Sequence, residues 1–161
     1  MGWPPRRAKR RRGFPPPHVV MKGLRYLWAL PASAVGAAIG LLALLHGARV
    51  QWHSGVLECT LGAAQRRAAH RAHRFPFAAI TLGHVVLAAT AEEQSRLRRH
   101  ERVHVAQYER WGPLLLLAYP AESLWQWLRG RRPYFDNRFE QEAFRVAGGD
   151  KACEATEMTA G

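Results

Sequence analysis

The spacing of apolar positions changes several times along this chain, and each change predicts an element. Residues 27–45, LWALPASAVGAAIGLLALL, run without a single charge. As a helix, about 20 such residues cross a hydrocarbon core. The run therefore reads as a transmembrane anchor or signal-anchor, because it is longer than the ~7–15 apolar residues of a cleaved signal peptide. Within it, Gly36 and Gly40 form a G-x-x-x-G, a spacing that permits close helix pairing. Alternation follows: Val50 and Trp52, then Leu57, Cys59 and Leu61, with Ser54-Gly55 between them. That pattern predicts a β-hairpin with a tight turn. Residues 77–89, FAAITLGHVVLAA, read as one mostly buried strand interrupted at Gly83.

Helical spacing then takes over. Thr90 followed by Glu93 makes a capping box. The helix it opens is expected to reach Trp111 and to stop at Gly112-Pro113. Residues 113–128, PLLLLAYPAESLWQWL, form a second apolar stretch that contains Pro120 and Glu122. It is short for a crossing, so it predicts a helix packed on the domain or lying in a membrane interface. There Trp125 and Trp127, with Tyr119, are candidate interface anchors or core residues. Asn137 with Glu140 is another capping-box pattern, opening a helix to about Ala147 that Gly148-Gly149 should end.

Together these elements predict an α+β fold. A small antiparallel sheet packs on the helix of residues 91–111 and on two further helices, behind an N-terminal transmembrane helix.

Charge changes the picture at one end. The formal net charge is +12, and residues 1–25 hold eight cations and no acid. This Arg- and Pro-rich segment cannot bury enough surface to offset its ordering entropy and is expected to be a disordered tail. Residues 26–46 are then the anchor, 48–148 the folded domain and 149–161 a flexible tail. Of the cations near the anchor, Arg49 alone lies in the 20 residues after it. The positive-inside rule therefore expects a single crossing, with the N-terminus cytoplasmic and the domain extracytoplasmic. Starting at Met21, the chain also has the layout of a signal sequence, and with Met21 as the true start the basic tail would not belong to the protein. The tail favours phosphate groups, whether on anionic lipid or on nucleic acid, and no motif for specific nucleic-acid recognition accompanies it. Two cysteines, Cys59 and Cys153, make neither a disulfide framework nor a C-x-x-C, and both read as free thiols.

Candidate chemistry lies on the helix of residues 91–111. His100, Glu101 and His104 form H-E-x-x-H. On a helix, the two imidazoles lie one turn apart on one face, as a tetrahedral Zn²⁺ site requires. Glu101 sits beside them, able to take a proton from a water that the metal activates. In a chain this rich in His and Glu the pentapeptide alone arises by chance in about one sequence of forty. Weight therefore falls on a third ligand. Glu140 and Glu142 are the leading candidates, and Asp136 and His84 the weaker ones. Gln107 could orient the helix or a ligand, and Tyr134, Arg138 and His84 are candidates to stabilise an oxyanion. His70 and His73, in the basic connection of residues 65–76, read as solvated.

The segments ITLGHVVLA, HERVHVAQYERWG and NRFEQEA, in that order, resemble the core of gluzincin-type minimal zinc metalloproteases. They are similar to small bacterial membrane proteins with an H-E-x-x-H-x-x-Q helix and a later N-x-x-E-x-E-A segment. Membrane-embedded CAAX-processing proteases share the F-E-x-x-A pattern more distantly. The resemblance covers residues 77–147. It implies that His100, His104 and Glu140 bind zinc, with Glu142 second choice to Glu140, and that Glu101 is the general base. It also implies that the strand at 79–87 is an edge that pairs with an extended peptide. Where the larger membrane proteases carry Asp after the alanine, this chain has Phe144.

The function this implies is a membrane-anchored, zinc-dependent metalloprotease-like domain acting on a peptide or protein substrate. The alternative is a non-catalytic membrane-associated interaction module with a structural or vestigial zinc site.

Overall fold

Four α-helices and one four-stranded sheet make up the computed structural model, which describes residues 17–62 and 78–159. The elements are α1 (Pro17–Leu45), β1 (Arg49–His53), β2 (Val56–Thr60), β3 (Ala79–Leu82), β4 (Val85–Ala88), α2 (Ala91–Trp111), α3 (Leu115–Leu128) and α4 (Arg138–Thr159). A 3₁₀ turn, Gly112–Leu114, joins α2 to α3. Residues 1–16, most of the expected tail, lie outside the described residues, as does the basic connection with His70 and His73.

The fold is α+β, but the sheet is mixed, not antiparallel. Strand order is β1-β2-β4-β3, with β2 and β4 parallel and the outer pairs antiparallel. Burial explains the order: all of β4 is buried, so it takes an inner position, whereas β3 carries the exposed Ile80 and forms an edge. The single strand expected over 77–89 is a hairpin. Leu82 pairs with Val85 across Gly83-His84, and Gly83 has φ +61°. A two-residue hairpin reserves that first turn position for glycine. The predicted β1–β2 hairpin is present, with Ser54 and Gly55 both at positive φ.

Helices α1 and α2 cover opposite faces of the sheet. Cys59, Val85 and Leu87 form the cluster on one face, and Val56 and Val86 pack on Val105 of α2 on the other. The two helices converge at one end, where Ala29 and Ala32 meet Tyr108, Leu115 and Phe139.

Helix α1 begins at Pro17, inside the segment expected to be disordered, and its Gly23–Leu45 stretch is long and apolar enough to cross a membrane. Gly36 and Gly40 face the sheet. A Cβ on Gly36 would lie 2.8 Å from Val85 Cβ, and one on Gly40 would lie 3.1 Å from Cys59 Sγ. The small residues let the helix backbone approach the sheet. Helix α4 also runs past its expected end, through Gly148-Gly149 to Thr159. Glycine lowers helix stability without forbidding the conformation.

Candidate metal centre

Three elements meet at the middle of α2. Its start is fixed by Thr90, whose hydroxyl accepts the Glu93 N–H at 3.1 Å. From there, helical spacing turns His100, Glu101, His104, Gln107 and Tyr108 inward, and all five are buried. The Nε2 atoms of His100 and His104 lie 3.1 Å apart.

Glu140 arrives from α4. Its Oε2 is 3.1 Å from His100 Nε2 and its Oε1 is 3.4 Å from His104 Nε2. These three buried side chains could hold a metal ion, their donor atoms all falling within 4.8 Å of one another. Among the described residues they are the one such cluster of His, Cys, Asp and Glu. Glu140 Oε1 accepts the Tyr119 hydroxyl at 2.6 Å, whereas Oε2 is buried and receives no aligned hydrogen bond. A buried carboxylate oxygen left this way is costly unless a cation meets it. The donor set therefore fits a metal.

Asn137 explains why Glu140 reaches this point. Fully buried, it accepts the Phe139 N–H at 2.9 Å, capping α4, and donates to Ser123 Oγ at 2.8 Å and Tyr119 O at 3.2 Å. The cap thus ties the first turn of α4 to α3. The capping box read from Asn137 and Glu140 is only half made. The Asn137 N–H bonds Tyr134 O at 3.2 Å, while the Glu140 carboxylate turns to the histidines.

Electrostatics follow the same contacts. Burial opposes ionisation of Glu140, but the neighbouring imidazoles and the Tyr119 hydroxyl outweigh it and hold the carboxyl well below its ordinary range. Burial likewise opposes charging of His104, and the Glu140 carboxylate, with help from Glu101 and Gln107, raises its pKa nonetheless. The phenols of Tyr119 and Tyr134 are pushed far up, first by burial and then by Glu140, so both stay protonated as donors.

Gln107 organises the far side of His104. Its Oε1 lies 2.9 Å from His104 Nδ1, and its amide donates to Phe139 O at 3.0 Å and to Glu142 Oε2 at 2.9 Å. With both amide hydrogens spent on acceptors, the oxygen must face the imidazole. Nδ1 then carries a hydrogen, and in the neutral imidazole Nε2 is the nitrogen left to meet a metal.

Glu101 stands outside that cluster of three. Its Oε2 accepts the Thr81 hydroxyl at 2.6 Å, which ties it to edge strand β3. A cavity of about 190 Å³ opens here, lined by His100, Glu101, His104 and Glu140 together with apolar residues of β3 and α3.

The other sequence candidates are sorted by position. Tyr134 lines the cavity. Glu142 does not reach the cluster but bonds Gln107 and pairs with Arg110 at 3.1 Å. His84, in the β3–β4 turn, stacks on Tyr26 with ring centroids 3.9 Å apart and contacts Glu109, away from the cluster. Arg138 pairs with Glu122 and lies over Trp111 and Phe139. Asp136 accepts from Arg132. His84, Arg138 and Asp136 therefore lie outside the site, for each is held by a local partner. Sequence reasoning missed Tyr119 and Thr81 as site residues. Each contact depends on a neighbour in another element, and no local pattern signals it.

No protein family, curated protein or solved structure matches this chain.

Proposed function

We propose that this chain is a membrane-associated zinc metallopeptidase. The observation that carries the reading is the spacing of three buried donors. Ligand atoms about 2.0–2.1 Å from a tetrahedral centre lie roughly 3.3 Å from one another. Here the two imidazole nitrogens lie 3.1 Å apart, and Glu140 presents one oxygen 3.1 Å from His100 Nε2 and the other 3.4 Å from His104 Nε2, so one atom from each residue falls within 4.8 Å of the others. His100, His104 and Glu140 would hold the ion, leaving one tetrahedral position for solvent or substrate. When bound, zinc supplies a Lewis acid that polarises a carbonyl and eases ionisation of water.

The chain's own residues provide the rest. Glu101, held by Thr81, accepts the proton that water gives up on attacking the carbonyl carbon and passes it to the leaving amine. Tyr134 faces the same cavity with a protonated phenol, suited to donate to the developing oxyanion. Among the described residues strand β3 has only β4 beside it, so its outer edge can accept an extended peptide by strand addition. Ile80, Leu115, Leu116 and Pro120 line the cavity and suit an apolar side chain next to the scissile bond.

Metal analysis of the full chain, paired with a peptide-cleavage assay, tests the reading. Wild type and Glu101→Gln should each carry about one zinc, His104→Ala none, and only wild type should cleave. Zinc in wild type without any cleavage would move the protein to the interaction-module reading. Zinc absent from all three would remove the site.

A further inference from the structure

Helix α1 packs inside out for a soluble protein. The side chains it buries against the domain are its smallest: Ala29, Ala32, Gly36, Gly40 and Ala43. Among the described residues its large apolar side chains, including Leu24, Leu27, Val35, Leu41 and Leu42, are all exposed. At 3.6 residues per turn the buried positions span roughly 80° of arc, leaving about 280° of outward surface. From Leu27 to Leu45 that surface carries no charge. Small residues inward and large ones outward is the arrangement helices adopt when lipid is the outer solvent.

The apolar surface continues beyond α1. Trp28 rests on Gly112, at the start of the turn into α3. On α3, Leu117, Leu124, Trp125 and Leu128 are exposed and share one helix face. Arg129 follows, its guanidinium 4.9 Å from the Trp125 ring centroid, and Arg131 and Arg132 come next. Tryptophan beside arginine at the end of an apolar face matches a boundary with anionic headgroups.

A crossing orientation conflicts with the other side of the sheet. Helix α2 covers the face opposite α1 and exposes Arg96 and Arg99. If α1 stood across the bilayer, the sheet packed along Gly36 and Gly40 would sit at hydrocarbon depth, and with it Glu58, next to the Cys59 that meets Gly40, and the Arg98 of α2 paired to Glu58. Intramembrane arginines are costly. With α1 lying in the membrane plane, each layer adds roughly 10 Å of height. The helix then occupies the acyl boundary, the sheet lies near the headgroups and α2 reaches water.

We infer that α1 and the exposed face of α3 form one lipid-contact surface, and that α1 lies along the bilayer instead of crossing it. The occupant is lipid and not a second copy, because one partner helix covers a strip of α1 and leaves most of its apolar arc in water. This inference is independent of the metal reading.

Nitroxide labels on the full chain bound to phosphatidylcholine–phosphatidylglycerol vesicles test it. Leu27→Cys, Val35→Cys and Leu42→Cys, each in a Cys153→Ser background, sample the outward face at exposed positions. Collision rates with oxygen and with a water-soluble nickel chelate report depth. The expected result is one shallow depth for all three labels. A profile deepest at Val35 with shallow ends would establish a crossing helix and overturn the inference. Labels shielded from both relaxants would show that a protein covers the face, and would overturn it equally.

Discussion

Gln107 Oε1 lies 2.9 Å from Nδ1 of His104, and the same amide donates to Phe139 O, one residue before Glu140. One buried side chain therefore sets the tautomer of one candidate ligand and braces the segment that delivers another. Removing such a partner of a metal-bound histidine typically costs about 10–100-fold in metal affinity. Gln107→Leu should weaken zinc binding by that order in chelator competition while leaving the fold intact by circular dichroism. Affinity unchanged from wild type would mean that the amide does not orient His104.

Two carboxylates two residues apart have different jobs. Glu140 faces both imidazoles, whereas Glu142 bonds Gln107 and Arg110. Glu140→Gln should abolish stoichiometric zinc. Glu142→Gln should keep it, with affinity reduced by at most about tenfold through a less firmly oriented Gln107. Isothermal titration of both variants separates the roles, and the reverse order of losses would exchange the assignments.

Proton and metal compete for the same nitrogen, so pH gives a third test. In the metal-free protein the pKa of His104 is raised above its ordinary 6.5, and that of Glu140 is lowered below its ordinary 4.5. The stability from His104 is full below 6.5 and is lost as pH rises through the raised folded value. That from Glu140 is present above 4.5 and is lost as pH falls through its lowered folded value. Between those ordinary values the metal-free pair is therefore at its most stabilising. Zinc needs His104 neutral, so its binding should strengthen as pH rises from about 6 to about 8. Melting curves with and without zinc should show a Tm increment that grows over that interval. An increment independent of pH would remove His104 from the ligand set.

Local sequence signals marked the parts of this site that local chemistry dictates. Thr90 and Gly112 bound α2 where the capping and stop patterns placed its ends, and helical spacing alone put His100 and His104 on one face. The hairpin at Ser54-Gly55 was legible because two positive-φ residues leave few choices of sequence. Long-range pairing was not. An apolar run such as residues 77–89 has no period that distinguishes one buried strand from two, and Gly83 reads as an interruption unless its partner strand is known. The parallel pairing of β2 with β4 joins segments separated by the connection outside the described residues. Tyr119 sits in an apolar stretch like any core aromatic, and only the cap at Asn137 brings α4 close enough for its hydroxyl to reach Glu140. His84 shows the opposite error: a histidine upstream of the motif in sequence is buried against Tyr26 and Glu109, away from the cluster.

Gly36 offers the sharpest test of how α1 joins the domain. A free-standing anchor would accept alanine there, and replacing glycine inside a helix ordinarily gains up to about 1 kcal/mol. Here the added Cβ would meet Leu82 O at 2.9 Å and Leu82 Cβ at 3.0 Å, as well as Val85. The obstacles are backbone and the stems of core side chains, so relief requires the helix to move off the sheet. Leucine adds branched bulk to the same clash, and overpacking of this kind costs about 1–3 kcal/mol. Gly36→Leu should lower the unfolding free energy by at least that amount and should weaken zinc binding, since Leu82 adjoins the Thr81 that holds Glu101. Gly23→Ala, on the same helix with nothing within 4 Å of its Cβ, should be neutral or slightly stabilising. Equal tolerance at both positions in denaturant titrations would detach α1 from the sheet and leave it as a separate anchor.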